Sequence, residues 1–118
     1  MLPSCELHLQ PLYFSLIAEG KKTVEGRVAK EKYRALHLGD VVRFCSQSET
    51  LDARIISIEH FDSFAEMLSY YGVKNCLPGI QTLDEAVSIY HGFPEYQSQA
   101  EILGVMGIEV QVINQKSN

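Results

Sequence analysis

The sequence feature that most constrains the fold is a change of periodicity between residues 11 and 28. Pro11 is followed by apolar residues at helical spacing, and Gly20 comes where a helix of that length would end. Directly afterwards, polar residues alternate with small or apolar ones over residues 23–28. This alternation has the period of two that is typical of a β-strand. We therefore predict a strand with one polar face, which the chain enters from the C-terminal end of a helix.

The polar face of this strand carries Thr23, Glu25 and Arg27, and Lys22 lies where the strand begins. Glu25 and Arg27 are i, i+2 neighbours, so an acceptor and a fork of donors can meet one ligand. Lys22 can contact an anion or, if it is desolvated, act as a base or nucleophile. The alternative is a solvent-exposed face with weak ion pairs. The spacing alone leaves both interpretations open.

The other strands are predicted by apolar and polar alternation. They are expected at residues 5–10, 41–45, 51–60 and 102–113. The second and third of these form a hairpin. The alternation of the third shifts at Ile55 and Ile56, which indicates a β-bulge.

Four helices are predicted, one from Pro11 to Gly20 and the others at 29–36, 63–71 and 82–91. The last two begin with capping boxes, in which Ser63 or Thr82 is followed three residues later by glutamate. Between them, the loop 73–81 is long enough to edge a cleft, and it carries Lys74. Residues 93–100 are expected to be flexible.

The order of these elements favours an α+β fold. Five strands, with the helices gathered in pairs, do not suit a doubly wound parallel sheet, which needs regular alternation of strands and helices. We predict a small, mostly antiparallel β-barrel of five to six strands with flanking helices. A chain of 118 residues is expected to form a single domain over 1–118, with its core at about 5–113.

Composition narrows the possible partners. The net charge of −5 argues against indiscriminate phosphate binding, but six of the ten basic residues lie between positions 21 and 34. The three cysteines and four histidines have no metal-ligand spacing, so we expect no metal and no cofactor. The chain has no apolar run of membrane-spanning length and no leader-like start, so we expect a cytoplasmic protein without membrane contact.

Three motifs in this order resemble the ASCH domain family. The first is G-x-K-T-x-E-x-R at residues 20–27, the second is L-x-x-G-D-x-V-x-F at residues 36–44, and the third is the segment from Ile58 through Leu68. The resemblance covers roughly residues 6–112, and we expect a stand-alone small ASCH protein. It implies a fold like that of the PUA superfamily, a small β-barrel with helices around a cleft.

The resemblance also implies a function. ASCH domains are linked to RNA, and their cleft is proposed to take RNA or a nucleoside. By this likeness Lys22, Thr23, Glu25 and Arg27 line the cleft, and we add Tyr13 from the first helix and Lys74 from the loop as ligand-binding candidates. A protein-interaction domain with a vestigial cleft is a further alternative, which an intact set of polar residues disfavours. The sequence does not indicate an oligomeric state.

A hydrolase is the second implied function. One ASCH branch, the bacterial 4-acetylcytidine amidohydrolases, uses a lysine of this motif together with a threonine three residues later and a distant glutamate. The lysine matches Lys22, but Glu25 stands at the threonine position. A carboxylate there stabilises the charged ammonium, which disfavours a neutral nucleophile. If the chain is an enzyme, Lys22 and Glu25 are the expected catalytic pair.

Overall fold

A computed structural model describes residues 2–117, so the predicted domain limits at positions 1 and 118 lie outside the described residues. The strands are β1 (Cys5–His8), β2 (Val24–Val28), β3 (Val41–Ser46), β4 (Glu49–Phe61) and β5 (Val105–Ser117). The helices are α1 (Pro11–Ala18), α2 (Glu31–Arg34), α3 (Phe64–Tyr71), α4 (Val73–Cys76), α5 (Leu83–His91) and α6 (Tyr96–Leu103). No helix among these residues combines the length and apolar character that crossing a bilayer requires.

The five strands form one curled sheet in the order β1-β3-β4-β5-β2. β1 runs parallel to β3 and the other neighbours are antiparallel, so the sheet is mixed and open like half a barrel. The predicted strands and the β3–β4 hairpin are present, and a register shift of β4 lies between Ile55 and Ser57, at the predicted bulge. The two edge strands are β1 and β2, which are bridged by a side chain: the Nη2 of Arg27 donates to the carbonyl of His8 at 2.9 Å.

The sheet buries a separate apolar cluster on each face. One cluster contains side chains from the sheet, α1 and α2: Leu7, Phe14, Ile17, Ala29, Tyr33, Leu36, Val42, Phe44, Leu51, Ala53, Ile55, Met106, Ile108 and Val110. The other lies under the remaining helices: Val24, Val28, Phe64, Met67, Leu68, Cys76, Leu77, Ala86, Tyr90, Ala100 and Val105. Val24 and Val28 belong to the second cluster, as the predicted alternation of β2 requires. Glu25 and Arg27 therefore face the opposite side of the strand.

Two paired glycines let the helices approach β2 closely. Gly26 of β2 lies opposite Gly107 of β5. A Cβ at Gly26 would lie 2.7 Å from the Cε of Met67 and 3.2 Å from a ring carbon of Tyr90. A Cβ at Gly107 would lie 2.5 Å from the ring of Tyr71. The glycine in the polar motif thus sets how closely α3 and α5 pack beside the predicted cleft residues.

The capping boxes were correctly predicted, but the segment after α5 was not. Ser63 and Thr82 accept hydrogen bonds from backbone N–H groups three residues later, at 3.1 and 3.2 Å. Residues 96–103, however, form α6 rather than a flexible segment and the start of a strand, so β5 begins only at Val105. The helix has no side-chain cap, because its N-cap residue is Glu95 in a left-handed conformation. Rings from distant helices stabilise α6: Tyr96 stacks on Phe64 with centroids 5.7 Å apart.

Candidate functional site

A cavity of about 250 Å³ lies beside the gap between the edge strands β1 and β2. Residues from the start of α1, from β2 and from the segment joining α5 to α6 line it. Its polar wall consists of Lys22, Glu25 and Arg27. Its aromatic wall consists of Tyr13, Tyr90, Phe93 and Tyr96. The polar motif of the sequence therefore opens into a cavity that distant helices complete.

Lys22 is among the most deeply buried side chains, with 1% of its surface exposed. Its Nζ donates to the carbonyls of Val24 and Cys76, both at 2.6 Å, and lies 3.3 Å from the Oε1 of Glu25. All three N–H groups of the ammonium thus have an acceptor. The buried lysine ties α4 to β2 and contributes a fixed positive charge to the cavity wall.

Glu25 joins the two cations of the site. Its other oxygen, Oε2, accepts from the Nε of Arg27 at 2.6 Å. Burial alone would raise the pKa of Glu25, but the charges of Lys22 and Arg27 outweigh it and hold this pKa below its ordinary value. Glu25 is only 7% exposed, so the alternative of an exposed face with weak ion pairs is wrong for Lys22 and Glu25. Lys22 and Glu25, both buried, and the partly buried Arg27 form a triad with one net positive charge.

Arg27 lies at the open side of the triad. Besides Glu25, its guanidinium donates to the hydroxyl of Tyr33 at 3.2 Å and to the carbonyl of His8 at 2.9 Å. Burial would lower the pKa of Arg27, but Glu25 raises it, so the group stays charged. A guanidinium has five N–H donors, and three are used here. Within residues 2–117, two donors are left for a ligand.

The hydroxyl of Tyr90 is buried and has no hydrogen-bond partner among the described residues. Burial, followed by the nearby charge of Glu25, raises the pKa of Tyr90 well above its usual value, so the hydroxyl stays protonated. The ring stacks on Phe64 with centroids 4.5 Å apart, and its edge lies against Gly26. An unpaired buried hydroxyl costs stability, and a polar ligand group in the cavity would relieve that cost.

The structure brings together four of the six predicted site residues. Lys22, Glu25, Arg27 and Tyr13 line the cavity, and the Nζ of Lys22 lies 5.9 Å from the ring centroid of Tyr13. Thr23 does not line it: its backbone pairs with Asn75 and Val110. Lys74 is exposed on α4 and does not line the cavity. Ligand contacts of all six residues stay predictions.

Phe93 was not predicted as a site residue, and Tyr90 and Tyr96 were a possible base-stacking surface but not ligand-binding candidates. The helical spacing placed Tyr90 on the inner face of α5, but such a tyrosine is more often part of the core. Phe93 and Tyr96 lie in the segment predicted as flexible. A local pattern does not show that these rings meet β2, because more than sixty residues separate them from Glu25 along the chain. Among residues 2–117, no three metal-ligating side chains cluster closely enough to hold an ion.

Acid is expected to weaken the fold through Glu25. Because its pKa in the folded protein lies below that in the unfolded chain, about 4.3, its contribution is fully present above that value and is lost as the pH falls through the folded pKa. A carboxyl-carbon NMR titration is expected to show Glu25 still ionised at its ordinary pKa. Urea unfolding over the same range is expected to lose stability as Glu25 becomes protonated. A titration at or above the ordinary value would contradict this electrostatic description.

Comparisons with known proteins identify a family and solved structures of similar fold. Residues 7–114 match the ASCH domain. The crystal structure of hypothetical protein PH0355 has a TM-score of 0.84 and 36% identity, covering 92% of this chain and 98% of that one. The solution structure of protein PF0455 from Pyrococcus furiosus has a TM-score of 0.74 and 34% identity, with coverages of 92% and 96%.

A more distant structure shares the fold. An ASCH protein from Zymomonas mobilis has a TM-score of 0.62 at 15% identity, covering 92% of this chain and 71% of that one. No characterised protein in the curated set matches the sequence. The resemblance predicted from the motifs is thus confirmed at the level of the family.

Proposed function

We propose that this chain, which belongs to the ASCH domain family, binds a single nucleoside in its cavity, either free or as one unit of an RNA chain. The observation that carries the proposal is a cavity lined by Glu25, Arg27 and Tyr90, whose buried hydroxyl has no hydrogen-bond partner among the described residues. At about 250 Å³, the cavity is at the small end of ligand sites. It suits one base with its sugar and not a larger ligand.

The polar wall matches the edge of a base. Glu25 uses one acceptor position on each oxygen for Lys22 and Arg27, so further lone pairs can accept from an amino or imino N–H. The hydroxyl of Tyr90 can donate to a carbonyl or ring nitrogen. A base offers donors and acceptors side by side on one edge, which this combination can read.

The aromatic wall supports the flat faces of a base. Tyr13 and Phe93 meet edge to face with centroids 6.5 Å apart. Phe93 also meets Tyr96, with centroids 5.3 Å apart. Half-buried rings next to hydrogen-bonding groups are the usual means by which proteins hold an unstacked base. The wall is therefore apolar where the ligand is flat and polar where the ligand has donors and acceptors.

The hydrolase alternative is supported less well. Lys22 and Glu25, the expected catalytic pair, are in contact at 3.3 Å. However, three acceptors surround the ammonium of Lys22, and a nucleophilic amine needs a free lone pair. Losing a proton would leave one of these buried acceptors without its donor. These contacts favour Lys22 as a fixed charge that orients Glu25.

The proposal is tested by calorimetric titration with adenosine, guanosine, cytidine, uridine and 4-acetylcytidine. We expect binding of at least one nucleoside, accompanied by NMR shifts at Glu25 and Tyr90. Chromatography of the 4-acetylcytidine mixture tests hydrolysis in the same samples. Release of cytidine that is lost in Lys22→Met would overturn the binding assignment in favour of the enzyme. Absence of binding by every nucleoside, free and within short RNAs, would overturn the proposed function.

Tyr90→Phe is expected to weaken nucleoside binding about tenfold, because it removes one buried hydrogen bond to the ligand. The free protein is expected to gain about 1 kcal/mol of stability, since the unpaired hydroxyl is gone. Tyr70→Phe is the matched control, because Tyr70 is 63% exposed and does not line the cavity. Equal affinities for Tyr90→Phe and the unmodified protein would show that the hydroxyl does not contact the ligand.

A further inference from the structure

We propose that Arg27 and Lys32 form a phosphate subsite at the mouth of the cavity, so that the bound unit is a nucleotide. This inference rests on the proposed nucleoside site and extends it by one charged group. Its basis is the geometry of the gap between β1 and β2, where both side chains reach the same edge strand.

Both cations bind backbone carbonyls of β1 that belong to alternate residues of the strand and point to its unpaired side. The Nη2 of Arg27 donates to the carbonyl of His8 at 2.9 Å, and the Nζ of Lys32 donates to the carbonyl of Glu6 at 3.4 Å. Residues i and i+2 of a strand are about 7 Å apart and present their carbonyls to the same side. Two positive groups are therefore held along one edge of the sheet, and Arg27 and His8 also line the cavity.

Tyr33 holds the two cations in place. Its ring centroid lies 5.7 Å from the guanidinium carbon of Arg27 and 5.2 Å from the Nζ of Lys32. Its hydroxyl accepts from the Nη1 of Arg27 at 3.2 Å. Tyr33 is itself only 8% exposed and packs in the first apolar cluster. The ring thus fixes a pair of charges that would repel each other if nothing else held them.

Donors remain available for an anion at this place. Among the described residues, two N–H groups of Arg27 have no partner, and the exposed Lys32 uses one donor in a long hydrogen bond. Within the triad, Glu25 is already neutralised by Lys22, which leaves one net positive charge at Arg27. Lys30 and Arg34, also exposed, flank Lys32 and offset the exposed carboxylates of Glu6 and Glu31 beside it.

Phosphate is the anion that these donors suit. A guanidinium binds two phosphate oxygens through parallel N–H groups, and a nearby ammonium adds a point charge. The phosphate can belong to a free mononucleotide or to the backbone of single-stranded RNA. In both cases, the base occupies the cavity beside Glu25 and Tyr90, and the phosphate lies outside Arg27 at the edge of β1.

The test compares a bound nucleoside with its 5′- and 3′-monophosphates and with a short single-stranded RNA containing the same base. For the unmodified protein, we expect one monophosphate to bind about tenfold more tightly than the nucleoside. In Lys32→Gln, we expect this ratio to fall to about twofold and the salt dependence of nucleotide binding to become shallower. Lys21→Gln is the matched control, because Lys21 is exposed and paired with Glu19 at 3.6 Å.

The outcomes separate this inference from the proposed function. A nucleoside that binds equally well with and without phosphate, or an equal loss in Lys21→Gln and Lys32→Gln, would overturn the subsite and leave the nucleoside site intact. Failure of every nucleoside and nucleotide to bind would overturn both. Either of two results supports the subsite and identifies the source of the phosphate: RNA binding more tightly than the mononucleotide indicates the RNA backbone, and equal binding indicates a free nucleotide.

Discussion

Lys22→Met is expected to lower the free energy of unfolding by about 3–5 kcal/mol, because it removes one partner of a buried ion pair. Methionine fills nearly the same space as the aliphatic part of lysine. The loss is therefore electrostatic: the carbonyls of Val24 and Cys76 lose their donor, and Glu25 keeps only Arg27. A single domain has about 5–15 kcal/mol of stability in total, so this substitution removes a large part of it.

Urea unfolding followed by circular dichroism measures this effect, with Lys21→Met as the control. Lys21 is the neighbouring lysine, but 66% of its side chain is exposed, so its substitution is expected to change stability by less than about 0.5 kcal/mol. Amide exchange in the variant is expected to increase first at Cys76 and Val24, whose carbonyls Lys22 joins. Equal stabilities of the two variants would contradict a buried structural role for Lys22.

The sequence predicted which side chains of β2 share a face better than it predicted which residues bury them. Alternation placed Glu25 and Arg27 on one face of β2, and this prediction depends only on the pleat of a strand. It did not predict the burial of Lys22, because that requires the carbonyl of Cys76, which is 54 positions away along the chain. Local periodicity describes which side chains share a face and contains no information about what covers that face.

The same reason explains the error after α5. The helices α3 and α5 begin with caps formed within four residues, so a short pattern predicts them. The helix α6 has no such cap and depends on rings from elsewhere, such as Phe64 stacking on Tyr96. The sequence contained one local signal for the end of α6, which is the glycine at position 104. In the structure, Gly104 ends the helix with a positive φ of 79°. Tyr96 lies in α6 and Phe93 shortly before it, so without α6 these two rings could not be placed beside Tyr13 and Tyr90 in the aromatic wall.

The candidate site combines charged side chains that are held in fixed positions with a hydroxyl that lacks a hydrogen-bond partner among the described residues. Lys22 and Tyr33 each hold one arm of the Glu25–Arg27 pair in a fixed position. Tyr90, in contrast, lines the same cavity with a hydroxyl that has no partner among residues 2–117. Groups held in place before binding lose little entropy when a ligand arrives, and an unpaired buried group gains a hydrogen bond. For the proposed ligand, we therefore expect the two halves of the cavity wall to contribute to affinity in different ways.

Glu25→Gln is expected to destabilise the protein by about 3–5 kcal/mol, because it leaves the buried ammonium of Lys22 and the partly buried guanidinium of Arg27 without an anion between them. The amide keeps the shape of the carboxylate but removes its charge and replaces one acceptor oxygen with an NH2 donor. The two cations then repel each other, and one of them loses its acceptor. Lys22→Met in the same chain is expected to relieve that repulsion. The double variant should therefore be more stable than the sum of the single effects predicts, by about 1–3 kcal/mol.

A double-mutant cycle in urea measures this coupling between Lys22 and Glu25. Arg27 remains charged in the double variant, but 14% of its side chain is exposed and Tyr33 and His8 still accept from it, so it does not become an isolated buried charge. Control cycles use Lys21 with Glu25, where additivity within about 0.5 kcal/mol is expected because Lys21 is exposed and paired with Glu19. If Lys22 and Glu25 were equally additive, the triad would be three independent side chains. In that case, the net positive charge of Lys22, Glu25 and Arg27 could not be treated as a single unit in the proposed recognition of a ligand.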